Sequence, residues 1–79
     1  MIIREATKLR IIELCSQRNI TINKLATISG VTQSTLNNIT CGRNSATVST
    51  IKKLCDGLDI TIQEFFCSDL FRNLEQEIK

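Results

Sequence analysis

Three short segments of this chain repeat one local pattern, which constrains the fold more than any other feature of the sequence. In each, an aliphatic residue and a threonine precede a large apolar residue four positions beyond the threonine: Ile20-Thr21 with Leu25, Val31-Thr32 with Leu36, and Ile60-Thr61 with Phe65. A threonine hydroxyl at the N-cap of a helix accepts a hydrogen bond from a free backbone N–H, and the apolar pair packs across the first turn. Each segment therefore predicts the start of a helix.

The apolar residues elsewhere recur at helical spacing, and the 79 residues contain no proline. A first helix is predicted over about Arg4 to Arg18, with Ile11 and Leu14 directed into the core. A fourth is predicted over about Thr47 to Asp56, and a short fifth over Ile62 to Phe66. The fourth helix is predicted to bury Val48, Ile51, Leu54 and Cys55 and to expose Lys52 and Lys53.

Two glycines are predicted to end helices. Gly30 follows the second helix and Gly57 the fourth, where a residue of left-handed backbone conformation commonly terminates a helix. Ala26 lies one turn before Gly30, and its small side chain permits the next helix to approach closely. The segment from Thr21 to Ile39 therefore predicts two short helices joined by a tight glycine turn.

A chain of this length has room for one domain and one core. We predict an all-α fold: a compact five-helix bundle over residues 1–67 that contains the two turn-linked helices, and a sixth C-terminal helix in residues 68–79. The sixth helix would place four apolar side chains on one face, those of Leu70, Phe71, Leu74 and Ile78. This stripe packs either on its own bundle or on a second subunit, so residues 68–79 are a candidate dimerisation element.

The charges of the chain are distributed unevenly, although their sum is only +2. Between Leu14 and Cys55 there is no Asp or Glu, and the charges present are all cationic: Arg18, Lys24, Arg43, Lys52 and Lys53. Residues 56–79 carry a net charge of −4. This asymmetry predicts a basic face that binds a polyanion and an acidic end directed elsewhere, the plain alternative being chance clustering of surface charges.

The third predicted helix exposes an unusual set of side chains. Because Leu36 and Ile39 set its inward direction, Gln33 protrudes from the first turn and the outward residues are Ser34, Asn37, Asn38 and Cys41. A helix that is merely solvated would carry Lys and Glu, which are absent here. Side-chain amides bond bidentately to adenine in the major groove of DNA, and threonine methyl groups contact thymine. The alternative is a polar surface helix that binds nothing.

Nothing in the composition predicts a metal site, a cofactor or catalysis. The chain has no histidine, and its four cysteines include no CxxC pair. We interpret Cys15, Cys55 and Cys67 as small core residues and Cys41 as exposed. A cysteine-based redox enzyme is disfavoured because isolated thiols lack a basic neighbour and a resolving partner. No apolar run near the start suits a signal peptide or membrane helix, so we expect a cytoplasmic protein that is not an enzyme and has no membrane partner.

The segment that contains the glycine turn resembles the Xre/Cro-type helix-turn-helix of phage and bacterial transcriptional regulators. The matching motif residues are Leu25-Ala26, Gly30 to Leu36, Ile39, Gly42 and Thr50 to Leu58. The resemblance runs from about Ile11 to Phe66, and it implies a bundle of five helices that binds operators as a dimer. The sequence departs from the family pattern at Ile22, where glutamine is frequent, and at Ala46, where proline is frequent.

The resemblance also implies roles for individual residues. It places Gln33 at the base-contacting position that opens the recognition helix, with Ser34 and Asn38 at other groove-facing positions. Thr32 and Thr35 match positions that contact the DNA backbone. The candidate DNA-binding residues are these five, together with Lys24, Asn37 and the loop residues Thr40, Arg43 and Asn44, where Arg43 lies along phosphate.

The sequence therefore predicts a homodimeric transcriptional regulator, a repressor, that binds double-stranded DNA. It would read the major groove of an inverted-repeat operator with the helix Gln33 to Ile39. The alternative is a protein-interaction module on the same fold, of the antitoxin or anti-repressor type. The acid-free window favours DNA, whereas the apolar and acidic C-terminal helix is what a protein partner would use.

Overall fold

The computed structural model describes Met1 to Ile78, and Lys79, the last residue of the predicted extension, lies outside the described residues. The helices are α1 (Ile3–Arg18), α2 (Ile22–Ser29), α3 (Gln33–Thr40), α4 (Val48–Leu58) and α5 (Ile62–Phe66), followed by a turn of 3-10 helix at Asp69–Phe71. The predicted all-α five-helix bundle is confirmed, and residues 1–78 contain no strand. None of the helices in this part of the chain is long and apolar enough to cross a membrane.

Threonine caps open four of the five helices. The predicted caps Thr21, Thr32 and Thr61 accept hydrogen bonds from backbone N–H groups three residues ahead, at 3.0–3.1 Å. Glu64 completes the predicted capping box, since its carboxylate accepts the Thr61 N–H at 3.0 Å. Thr47 caps α4 in the same way, which the sequence pattern missed because the residue before it is the small Ala46.

One three-residue connection is used three times. Asn19, Gly30 and Asp59 each follow a helix with left-handed φ values of 59°, 68° and 57°. The next residue is aliphatic in each case, and its N–H reaches back 3.0–3.1 Å to the carbonyl five residues earlier. The third residue is a threonine that caps the following helix. Helix end and helix start are therefore combined in Asn19-Ile20-Thr21, Gly30-Val31-Thr32 and Asp59-Ile60-Thr61.

The prediction that Gly57 ends α4 is wrong. Gly57 lies inside α4, and Asp59 takes the left-handed conformation instead. The reason is the packing of α4 against α2, which is the most extensive between any two elements. A Cβ at Gly57 would lie 3.1 Å from the Ser29 Cα, so the glycine permits the two backbones to approach closely.

The core consists of side chains from all five helices, and it confirms most of the predicted buried residues. Its members are Ile11, Leu14, Cys15, Leu25, Ala26, Leu36, Ile39, Ile51, Leu54, Cys55, Leu58 and Phe65. Two predictions of burial are wrong. Val48 is 76% exposed because it is the first residue of α4 and lies off its buried stripe. Cys67 is exposed because α5 ends at Phe66.

The prediction of a sixth helix is also wrong. Residues after Ser68 form only the 3-10 turn and then an irregular segment up to Ile78. Phe71 packs against Phe66 and Phe65, with ring centroids 4.8 and 6.3 Å away. Beyond the turn, the Glu75 N–H donates to the Met1 carbonyl at 3.1 Å, and the Ile3 N–H donates to a Glu77 carboxylate oxygen at 3.0 Å. The tail therefore returns to the start of α1. Glu77 caps this helix end, which has no capping bond from the side chain of its own N-cap residue, Ile2.

Arg10 fastens α5 to α1. Its side chain is buried, with the Nε donating to the Phe65 carbonyl at 2.7 Å and the Nη2 to the Glu64 carbonyl at 2.8 Å. The Nη1 pairs with Glu13 at 2.6 Å. The guanidinium thus satisfies the Phe65 carbonyl at the end of α5 and adds a charge-assisted bond to the Glu64 carbonyl, which also accepts the Cys67 N–H at 3.3 Å.

Candidate nucleic-acid interface

Helices α2 and α3 form the predicted turn-linked pair. Gly30 ends α2, and the Val31 N–H closes the turn by bonding to the Ala26 carbonyl at 3.1 Å. Ala26 is fully buried, as expected of the small residue where the two helices meet. Leu36 and Ile39 anchor α3 on α1 and α2, which leaves the opposite face of α3 open to solvent.

The open face of α3 carries neutral polar side chains. Gln33, Ser34 and Asn37 are exposed, and their side chains take part in none of the hydrogen bonds within residues 1–78. Asn38 and Thr40 are half-buried at the C-terminal end of the helix. The structure therefore brings Gln33, Ser34 and Asn37 together as amide and hydroxyl groups free to bind an external partner.

The two threonines at the start of α3 form hydrogen bonds with each other, and Thr32 caps the helix. The Thr32 hydroxyl accepts the Thr35 N–H at 3.1 Å and donates to the Thr35 hydroxyl at 2.8 Å. Both side chains are exposed at the N-terminal end of the helix, where backbone N–H groups are unsatisfied. That end of α3 can bind a negatively charged oxygen through its N–H groups and through the positive end of the helix dipole.

The loop after α3 folds back onto the helix. Gly42, at φ 86°, allows the chain to reverse, and the N–H groups of Arg43 and Asn44 then donate to the Asn38 carbonyl at 2.9 and 3.1 Å. The Arg43 Nη1 donates to the Asn38 Oδ1 at 3.2 Å. Arg43 and Asn44 are exposed, so the guanidinium lies at the surface beside the end of α3.

The lysines near α3 differ in whether they pair with a carboxylate. Lys24 is exposed on α2, and Lys53 is exposed on α4 as predicted. Lys52 is exposed too, but it pairs with Asp56, and that hydrogen bond raises the pKa of Lys52. The sequence predicts both Lys52 and Lys53 to be exposed cations. It does not show that only Lys52 is paired, because the pairing depends on side-chain conformation.

Sequence reasoning missed two basic residues near this surface. Arg4 and Lys8 on α1 line a shallow depression together with Glu5 and with Gly42 of the loop after α3. No signal in the local sequence places them there, since α1 meets this loop only through the packing of the bundle.

Comparison with known proteins agrees with this geometry and confirms the resemblance inferred from the motif residues. The sequence profile of the helix-turn-helix family HTH_3 matches residues 11–65. The crystal structure of prophage Lp1 protein 11 is similar at 36% identity and a TM-score of 0.81, over 94% of this chain and 100% of that one. An HTH_3 family transcriptional regulator from Vibrio cholerae is similar at 25% identity and a TM-score of 0.77, over 85% of this chain and 38% of that one.

No curated protein matches the sequence. The family profile nevertheless covers more than half of the chain and includes α2, the turn and α3. The chain belongs to the HTH_3 family of helix-turn-helix proteins.

Proposed function

We propose that this protein is a transcriptional repressor that binds a specific sequence of double-stranded DNA with α3 in the major groove. Membership of the helix-turn-helix family, and the similarity to a transcriptional regulator, support a DNA-binding regulator in general. The finer proposal comes from the surface of α3. It requires no catalysis and no cofactor.

The observation that carries the proposal is the free polar face of α3. Gln33, Ser34 and Asn37 are exposed and unbonded, on a helix that is held rigidly by Leu36 and Ile39. Amides and hydroxyls are among the groups that discriminate between base pairs by hydrogen bonding in the major groove. A helix with no charged side chain gains little from binding phosphate alone, which favours base reading over non-specific attachment.

Contacts to the DNA backbone would come from residues around this face. In our proposal Thr32 and Thr35, at the start of α3, lie against one phosphate strand, and Lys24 on α2 reaches the same strand. Thr40, Arg43 and Asn44 follow the backbone beyond the other end of α3. The absence of Asp and Glu between Leu14 and Cys55 supports this arrangement, because no carboxylate in that segment would repel phosphate.

We further propose that the protein binds as a homodimer to an inverted repeat. A single helix of eight residues reads few base pairs, and two copies one helical turn of DNA apart, about 34 Å, double the number that is read. The tail residues Leu70, Leu74 and Ile78 remain our candidates for the contact between subunits. Phe71, the fourth residue of the predicted stripe, packs on its own core through Phe65 and Phe66.

The test is selection from a random duplex library with the full chain at fixed salt. We expect enrichment of an inverted repeat whose half-sites are about 10 base pairs apart, centre to centre. Failure to enrich any sequence would contradict base-specific binding. That result would favour the alternative, a protein-interaction module. The structure gives the alternative less support, because the predicted tail helix that would bind a protein partner is only a 3-10 turn.

A further inference from the structure

Three hydrogen bonds hold Arg43 over Asn38. The backbone N–H groups of Arg43 and Asn44 donate to the Asn38 carbonyl, and the Arg43 Nη1 donates to the Asn38 Oδ1 at 3.2 Å. Gly42, in the left-handed region at φ 86°, allows the loop to turn back in this way. The guanidinium is therefore positioned by the path of the backbone as well as by its own side-chain bond.

This contact orients the amide of Asn38. A guanidinium has donors only, so the atom that faces Arg43 must be the amide oxygen, and Nδ2 is turned away from Arg43. A bidentate contact with adenine requires the oxygen and the nitrogen of an amide side by side on the base edge. Arg43 occupies one of the two lone-pair positions of that oxygen, so the neighbouring Asn38 and Arg43 side chains together present mostly N–H donors.

Guanine offers the matching edge. In the major groove it presents two acceptors, N7 and O6, whereas adenine presents one acceptor and one donor. We propose that Arg43 is a positioning residue which makes Asn38 select guanine rather than adenine. This inference rests on the proposed function, and it differs from a role of Arg43 on phosphate alone, which would weaken all DNA sequences equally.

The experiment compares base preferences selected from a random duplex library by the wild type and by four variants, Asn38→Ala, Asn38→Asp, Arg43→Ala and Lys53→Ala. Asn38→Ala identifies the base position that Asn38 reads, because the preference there is lost. Lys53→Ala is the matched control, since it removes one exposed positive charge that has no contact with Asn38. Thermal unfolding of each variant, followed by circular dichroism, verifies that the fold is kept.

We expect the wild type to prefer guanine at that position by about 5- to 150-fold, the range for one good bidentate base contact. Arg43→Ala should change the preferred base to adenine, because the amide oxygen is released. Lys53→Ala should keep guanine. Asn38→Asp retains the bond to Arg43 but replaces the amide N–H donors with an acceptor, so it should shift the preference toward cytosine.

Two results would overturn the inference and leave sequence-specific binding intact. One is a wild-type preference for adenine at the position that Asn38 reads. The other is an Arg43→Ala variant that keeps guanine and binds every sequence more weakly by the same factor. A wild type that enriches no sequence at all would contradict the proposed function and the inference with it.

Discussion

The four cysteines divide into two pairs according to burial. Cys15 and Cys55 lie in the core, and their removal from water raises the pKa of both thiols. Cys41 and Cys67 are exposed. Because the thiolate is the reactive form, burial protects the first pair twice, by excluding the reagent and by keeping the proton on sulfur.

We therefore expect two fast thiols and two slow ones in the native protein. At neutral pH an alkylating reagent should modify Cys41 and Cys67 first, and Cys15 and Cys55 only on unfolding, as mass spectrometry of the labelled peptides can show. The same labelling in denaturant provides the control, where all four should react alike. Equal rates for all four thiols in the native state would contradict the assignment of the core.

At the scale of helices, Gly57 and Ser29 decide how closely α2 and α4 pack. A Cβ at Gly57 would lie 2.2 Å from the Ser29 Oγ and 3.1 Å from the Ser29 Cα. The Ser29 Oγ is itself buried, with no hydrogen-bond partner in the described part of the chain. The contact therefore gains from close packing and not from a polar interaction.

Gly57→Ala should lower the free energy of unfolding by about 1–3 kcal/mol, the usual cost of overpacking. At a helix position with open space around it, the same change would stabilise the protein by up to about 1 kcal/mol. The sign of the effect therefore shows whether Gly57 is tightly packed. Urea denaturation of the single variants and of Gly57→Ala combined with Ser29→Gly gives the coupling between the two positions. An equal cost in both backgrounds would show that Ser29 is not the obstacle.

The elements that could be predicted from sequence are those fixed by local bonds. Thr21, Thr32 and Thr61 were recognisable because a cap joins groups only three residues apart. The end of α4 was not recognisable from the sequence, because the left-handed residue is Asp59 and not a glycine. Gly57 lies inside the helix, where it packs against Ser29 of α2. The tail has helical spacing of apolar residues, but its Glu75 N–H bonds to the Met1 carbonyl and its Glu77 carboxylate accepts the Ile3 N–H, both at the other end of the sequence.

The same division applies to the candidate interface. The polar face of α3 followed from the 3.6-residue period, since Leu36 and Ile39 define the buried side. The bond between Arg43 and Asn38 depends on the reversal at Gly42, and the approach of Arg4 and Lys8 to that loop depends on the packing of α1. The first contact depends on a local reversal of the backbone and the second on tertiary packing, and neither leaves a periodic signal.

At the scale of the whole molecule, the paired termini carry exposed apolar side chains. The Ile3 N–H is bonded to Glu77, and the neighbouring Ile78 is 79% exposed. Ile3 and Met1 are exposed as well. Burial of these side chains between two subunits would suit the dimer that we propose, because removing apolar surface from water is favourable.

Ile78→Asp should therefore convert a dimer into a folded monomer with weaker affinity for an inverted repeat. Sedimentation equilibrium measures the state of association, and thermal unfolding shows that the fold is retained. Val48→Asp is the matched control for the state of association, since Val48 is similarly exposed, at 76%, but is the first residue of α4. A variant that remains dimeric, or a wild type that is monomeric at every concentration, would contradict this interface.

The central claim is that α3 reads bases, and the ratio of two affinities tests it most directly. The affinities are those for the selected duplex and for a scrambled duplex of the same length and composition, measured at one salt concentration with the wild type and with Gln33→Ala. We predict that Gln33→Ala lowers this ratio by an amount equivalent to about 1–3 kcal/mol while binding to the scrambled duplex stays the same. An unchanged ratio would contradict the placement of α3 in the major groove.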